Sequence, residues 1–146
     1  MKVLLDTNIC IYLINPRSEH KEAVREHFLA HQPGDIGISA ITLAELEYGV
    51  EYSRQPEKNR QALEEFIVPL EILPFNDRAA AVYGKIRAAL RKQPIGPLDI
   101  LIAAHALALE IPIVTNDTSE FERVPGLILQ NWTIPTRRKS GGGRNS

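Results

Sequence analysis

A chain of 146 residues, 44% hydrophobic and 24% charged, has room for one soluble domain built on a single core. Its one cysteine, Cys10, excludes an internal disulfide and a four-cysteine zinc site, and its place inside Ile9-Cys10-Ile11 predicts a buried, inert thiol. The formal charge of -1 hides an asymmetry: Arg137, Arg138, Lys139 and Arg144 lie in an acid-free end, so the body before them carries 13 of the 17 basic residues against all 18 acids. That balance excludes the broad basic face of a general nucleic-acid binder. Any RNA contact must be local, and a cation must offset the acids.

Val3-Leu4-Leu5 is apolar without alternation, the pattern of a strand buried on both faces. Asp6 interrupts the N-terminus and the apolar run after it is short, so no signal peptide is expected. Further strands are predicted at Ile36–Ser39, Glu71–Leu73, Ile113–Thr115 and Leu127–Leu129. Helices are predicted over about 7–14, 19–31, 42–53, 57–68, 77–92 and 98–110, the last almost wholly apolar. No segment approaches the ~18 consecutive apolar residues of a membrane helix, so the expected setting is cytoplasmic. Strands alternating with helices predict an α/β domain over residues 1–135, a parallel sheet flanked by helices on both faces. Residues 136–146, TRRKSGGGRNS, have the composition of a flexible basic tail.

Four acids stand at informative places. Asp6 and Asp117 each follow a predicted strand, and Glu45 and Asp99 fall near predicted helix starts. In a parallel sheet, ligands bind beyond the carboxyl ends of the strands, where all four could meet. An all-carboxylate cluster suits Mg²⁺ or Mn²⁺ rather than zinc. Each acid also has a local explanation. Thr42-x-x-Glu45 and Asp117-x-x-Glu120 have the form of capping boxes, Asp6 could cap the helix from Thr7, and Asp99 follows Pro97 in a first turn. The two explanations are compatible, because a helix N-terminus stabilises the ionised carboxylate a metal needs.

Other residues carry weaker signals. His105 lies six positions after Asp99, about 240° around a helix, and is expected to pack rather than react. His20, His27 and His31 are expected to face solvent, while Tyr12, Phe28 and Tyr48 suit core or interface. Trp132 and the tyrosines show no interleaving with basic residues of the kind that stacks single-stranded RNA. Lys85, Arg87, Arg91 and Lys92 give the fifth helix a basic stretch, which is either a solvated face or a grip on substrate.

The local wording of the acids goes further. Val-Leu-Leu-Asp6-Thr7-Asn8, Thr42-Leu-Ala-Glu45-Leu, Ile95-Gly96-Pro97-Leu-Asp99-Ile-Leu-Ile-Ala-Ala-His105 and Ile113-Val-Thr115-Asn116-Asp117-x-x-x-Phe121 occur in that order. Phe121-Glu-Arg-Val-Pro-Gly126 and Asn131-Trp132 follow. Over about residues 1–135 the chain resembles PIN-domain proteins, specifically the VapC-type toxins of bacterial toxin–antitoxin pairs. That resemblance implies a parallel sheet of about five strands and a metal-holding triad of Asp6, Glu45 and Asp99, with Asp117 as the fourth acid. It also places Thr7, Asn8, Thr115 and Asn116 as residues that orient ligands and water. The implied activity is Mg²⁺-dependent endoribonuclease, leaving a 5′-phosphate and a 3′-hydroxyl. From the basic stretch itself, Arg87 and Arg91 are candidate substrate contacts, as is the basic tail. Within the family, the wording is most similar to toxins that cut initiator transfer RNA. The implied partners are a small antitoxin, an RNA substrate and a second copy of the chain. Two other functions compete. A phosphatase built on Asp6 would need an acid two residues on, where Asn8 stands; a non-catalytic partner-binding protein would use its acids only as caps.

Overall fold

The computed structural model describes residues 1–134 other than residue 16, and the tail expected at 136–146 lies outside the described residues. The elements in chain order are β1 (Val3–Leu5), α1 (Thr7–Ile14), α2 (Lys21–Leu29), β2 (Ile36–Ser39), α3 (Ala40–Tyr52), α4 (Pro56–Ile67), β3 (Glu71–Leu73), α5 (Asp77–Ala89), α6 (Pro97–Leu109), β4 (Ile113–Val114), α7 (Thr118–Phe121) and β5 (Leu129–Gln130). All five strands are parallel, in the order β3-β2-β1-β4-β5. No helix among the described residues is long and apolar enough to cross a membrane.

Alternation along the strands divides the core in two. Val3, Leu5, Ile36, Ile38 and Val114 face a layer that contains Ile9, Val24, Leu46 and Leu63 from α1 to α4. Leu4 and Ile113 face the other layer, with Ile86, Ile102 and Phe121 from α5 to α7. Burial on both sides explains why the central strands show no polar alternation. Cys10 is fully buried, as expected.

Several local expectations give way to packing. Helix α3 begins at Ala40, capped by Ser39, whose side chain accepts from the Ile41 amide. Thr42 is therefore inside the helix, buried, and its hydroxyl has no partner among the described residues. Strand β5 is displaced to Leu129–Gln130, and α5 ends before Arg91 and Lys92. The histidines expected at the surface are partly enclosed. His20 meets the edge of Tyr12, and His27 and His31 both stack on Trp132, with centroids 5.6 and 5.2 Å away. Trp132 comes from the far end of the fold, so a local pattern could not foretell that contact.

Candidate metal centre

The chain builds β1, β2 and β3 outward to one side, then returns to place β4 and β5 on the other. The switch point thus lies between β1 and β4, whose pairing sets Leu5 beside Val114. The residues that follow, Asp6 and Thr115, leave the sheet side by side at its carboxyl edge.

Asp6 is only 3% exposed. It caps α1, its Oδ1 accepting from the Thr7 amide at 2.8 Å, while Oδ2 accepts from the Thr115 hydroxyl at 2.9 Å. The Thr115 Oγ1 in turn accepts from the Asp117 amide at 2.9 Å, so one threonine fixes two of the acids. Thr7 donates its hydroxyl to Glu45 Oε1 at 2.6 Å, bridging α1 to α3. Glu45 belongs to the second turn of α3 rather than its first, and its carboxylate orients towards Thr7 instead of capping its own helix.

Asp99, Asp117 and Glu120 bring carboxylate oxygens within 4.8 Å of one another. Asp117 occupies the cap position of α7 but makes no side-chain capping bond, and Glu120 accepts from the Gly96 amide at 3.2 Å. The second supposed capping box is therefore open, with both acids turned towards Asp99. Glu120 was visible beforehand only as half of that box. Its spacing of three from Asp117, one helical turn, was the available signal.

The electrostatics show how crowded the acids are. Burial pushes Asp99 up to about 7, helped by the charges of Asp6, Glu120 and Asp117 and by a hydrogen bond with Glu120. Burial also raises Asp6, against the Thr115 and Thr7 hydrogen bonds, with Glu45 and Asp117 adding repulsion. An all-oxygen donor set with excess negative charge fits a hard divalent cation.

Of the supporting residues, Asn8 is exposed on α1, while Asn116 donates to the Tyr12 hydroxyl at 2.8 Å. The Asn116 Oδ1 is buried without a partner among the described residues. His105 packs, as expected: it is buried, its Nδ1 2.8 Å from Ser39 Oγ, and Phe75 meets its ring edge-on. Burial lowers its pKa. Arg87 and Arg91 line a cavity beside the loop that precedes Asp99. Tyr83 lies there too, under Arg87, a basic-aromatic pairing that the linear sequence had not suggested.

Fold and site together define a PIN domain, and residues 3–127 match that family. The chain is 44% identical to the tRNA(fMet)-specific endonuclease VapC of Shigella flexneri, over 91% of this chain and 99% of that one. The DNA-bound VapBC structure from Salmonella typhimurium shows 43% identity and a TM-score of 0.83, over 90% and 98% of the two chains. VapBC2 from Rickettsia felis, bound to a promoter DNA fragment, shows 40% identity and a TM-score of 0.79, over 90% and 99%. The chain belongs to the PIN-domain family, in its VapC branch.

Proposed function

We infer that this protein is the toxin of a type II toxin–antitoxin pair, an endoribonuclease that hydrolyses RNA phosphodiester bonds at the switch-point carboxylates in the cytoplasm. The observation that carries this reading is the convergence of Asp6, Glu45, Asp99 and Asp117, separated by up to 111 positions, on one edge of the sheet beside Thr7 and Thr115. Transfer RNA is the substrate to try first, since the Shigella relative is named for cutting initiator transfer RNA.

Asp6, Glu45, Asp99 and Asp117 would hold Mg²⁺ or Mn²⁺, and Glu120 joins them as a fifth acid. When bound, such a cation lowers the pKa of water and neutralises charge growing on the phosphoryl oxygens. The chain's own residues do the rest. The Thr115 hydroxyl and the Thr7 amide fix Asp6 and favour its ionised form against the effect of burial, and the Thr7 hydroxyl aims Glu45. Asp99, raised to about 7 by burial and by the neighbouring acids, would be the group to accept a proton from the attacking water. Asn8 and the Asn116 Oδ1, which has no partner among the described residues, offer polar contacts for water or ligand. Arg87 and Arg91 supply local positive charge for the RNA backbone, which an acidic body otherwise lacks.

A groove of about 240 Å³ between α1, α3 and α4, walled by Ile11, Ile14, Leu46 and Val50, runs to Thr7 and Glu45. It suits a segment of the antitoxin that reaches the acids and blocks them, and the solved relatives are VapBC toxin–antitoxin complexes. A homodimer is also expected.

Labelled transfer RNA should be cut by the purified protein with Mg²⁺, and not with EDTA or by Glu45→Gln. Equal cutting in all three would mark a contaminant and remove this site from the reaction. A gentler change tests the packing of the acids. A Cβ at Gly96 would lie 3.3 Å from Asp99 Oδ2 and 3.9 Å from Glu120 Oε1. Gly96→Ala should therefore lower kcat about tenfold, with thermal stability little changed. Full activity in that variant would show that Asp99 does not need this close fit.

A further inference from the structure

We propose that Tyr12 is a positioning residue of the carboxylate site: its hydroxyl holds the Asn116 side chain and so fixes the link that carries Asp117, tightening the acids' grip on a divalent cation. The proposal deepens the nuclease reading above, and rests on it only for the cleavage arm of its test.

Strand β4 ends at Val114 and α7 begins at Thr118, so residues 115–117 belong to neither. This short link joins the Asp6 contact to the carboxylates of Asp99, Asp117 and Glu120. Thr115 is held on two sides, its amide donating to the Gln130 carbonyl at 2.9 Å and its hydroxyl to Asp6 at 2.9 Å. Asp117 places its amide on the Thr115 hydroxyl oxygen, but its own side chain makes no capping bond. Between them stands Asn116. Its Nδ2 donates to the Tyr12 phenolic oxygen at 2.8 Å, across 104 positions of sequence. That bond sets the plane of the amide, whose Oδ1 is buried and has no partner among the described residues. Fixing the middle of a three-residue link removes backbone freedom that metal binding would otherwise have to freeze.

Helix α1 puts Tyr12 in reach of this link. Asp6 caps the helix, and Thr7, its first residue, holds Glu45 through its hydroxyl. Tyr12 lies five residues on, about 140° around the helix from Thr7 and ~7.5 Å along it. One helix therefore grips α3 from one face and the β4–α7 link from another. The Tyr12 ring has supports of its own: it packs against the core on the α1–α4 side, and His20 meets it edge-on with centroids 5.1 Å apart. Lys21 donates to the Leu13 carbonyl at 2.7 Å and ties the end of α1 to α2. Phenylalanine at position 12 would keep this packing and lose the tether alone.

Mn²⁺ titrations of the full chain, followed by the electron paramagnetic resonance of the free ion, compare wild type, Tyr12→Phe, Asn116→Ala and the double variant. Tyr12→Phe should weaken Mn²⁺ binding about tenfold, the scale of losing an outer hydrogen bond that orients a metal site. Its metal-free Tm should move little. Asn116→Ala should weaken binding at least as much, and adding Tyr12→Phe to it should cost less than about a further twofold, because the tether is already gone. With transfer RNA at sub-saturating Mg²⁺, Tyr12→Phe should lower kcat about tenfold and change the half-saturating RNA concentration less than about twofold. Excess Mg²⁺ should restore the rate. Unchanged Mn²⁺ affinity in Tyr12→Phe overturns the proposal. So does an equal loss of affinity with and without the Asn116 side chain, which would assign the Tyr12 hydroxyl to the fold alone. If the wild type binds Mn²⁺ but cuts no RNA, the nuclease reading fails, while the Mn²⁺ affinities still decide the role of Tyr12.

Discussion

Asp6→Asn is expected to slow cleavage severely while leaving the metal-free protein about as stable as wild type above neutral pH. Asparagine keeps the acceptor that caps α1, and it ranks with aspartate as a cap. What it loses is the second acceptor, which takes the Thr115 hydroxyl, and the charge, at a buried position where burial and the charges of Glu45 and Asp117 already work against ionisation. Losing a preorganised charge at the reacting centre should reduce the rate by on the order of 10²–10³-fold. Asp99→Asn should behave alike, with a larger effect on stability. The Asp99 pKa in the folded protein is about 7, against 3.8 for the free side chain. Folded protein therefore binds the proton more tightly than unfolded chain. This contribution to stability is fully present below the free side-chain pKa and is lost as pH rises through about 7. Asparagine does not titrate, so without metal Asp99→Asn should melt above wild type beyond pH 7 and lose that advantage as pH falls. The same linkage governs the cation. Mg²⁺ should raise the wild-type Tm more at about pH 8 than at about pH 5.5, where a proton competes for Asp99. Thermal melts across pH, with and without Mg²⁺, check both signs. A clear drop in the Tm of metal-free Asp99→Asn above neutrality would refute the view that these acids repel one another.

Trp132→Ala should cost about 3–5 kcal/mol, a large part of the ~5–15 kcal/mol that holds a typical domain together. Trp132 is 2% exposed, belongs to the core on the α1–α4 side, and stacks on both His27 and His31. Its indole N–H donates to Gln130 Oε1 at 3.2 Å. The His27 ring nitrogen Nε2, 2.7 Å from the Ile134 carbonyl, fastens the segment beyond it to α2. Truncating the indole leaves a cavity that rigid neighbours on the sheet and α2 fill only partly. Urea unfolding measures the loss directly, with Tyr52→Ala as the contrast, since Tyr52 is 78% exposed on α3 and should change stability by less than about 0.5 kcal/mol. A Trp132→Ala cost below about 1 kcal/mol would mean that the domain closes before residue 132.

Much of the frame is present in the linear chain. Val3–Leu5, Ile36–Ser39 and Glu71–Leu73 form strands at the residues predicted, and β4 is one residue shorter than expected. Burial on both faces imposes unbroken apolar runs on the central strands, and a run is visible without knowing its neighbours. Asp6 and Asp117 were legible as candidates for one edge: each directly follows or closely succeeds a strand, and a parallel sheet delivers such residues there. The order of the strands is another matter. Pairing of β1 with both β2 and β4 depends on crossovers that no local period encodes, and that pairing sets Asp6 beside Thr115.

Caps were the least legible feature. Thr42-x-x-Glu45 has the wording of a capping box, yet Ser39 caps the helix and Glu45 is engaged by Thr7 from 38 residues away. Glu120 likewise belongs to Asp99 and Gly96 rather than to its own helix end. The stacking of His27 and His31 on Trp132, and the cavity that joins Tyr83 and Arg87 to the loop before Asp99, also arise only after folding. Periodicity and burial are properties of a short stretch of chain, so the sequence by itself determined the elements and the acids that leave them. Which side chains meet depends on register, crossover and close packing between distant stretches, and these only the tertiary structure decided.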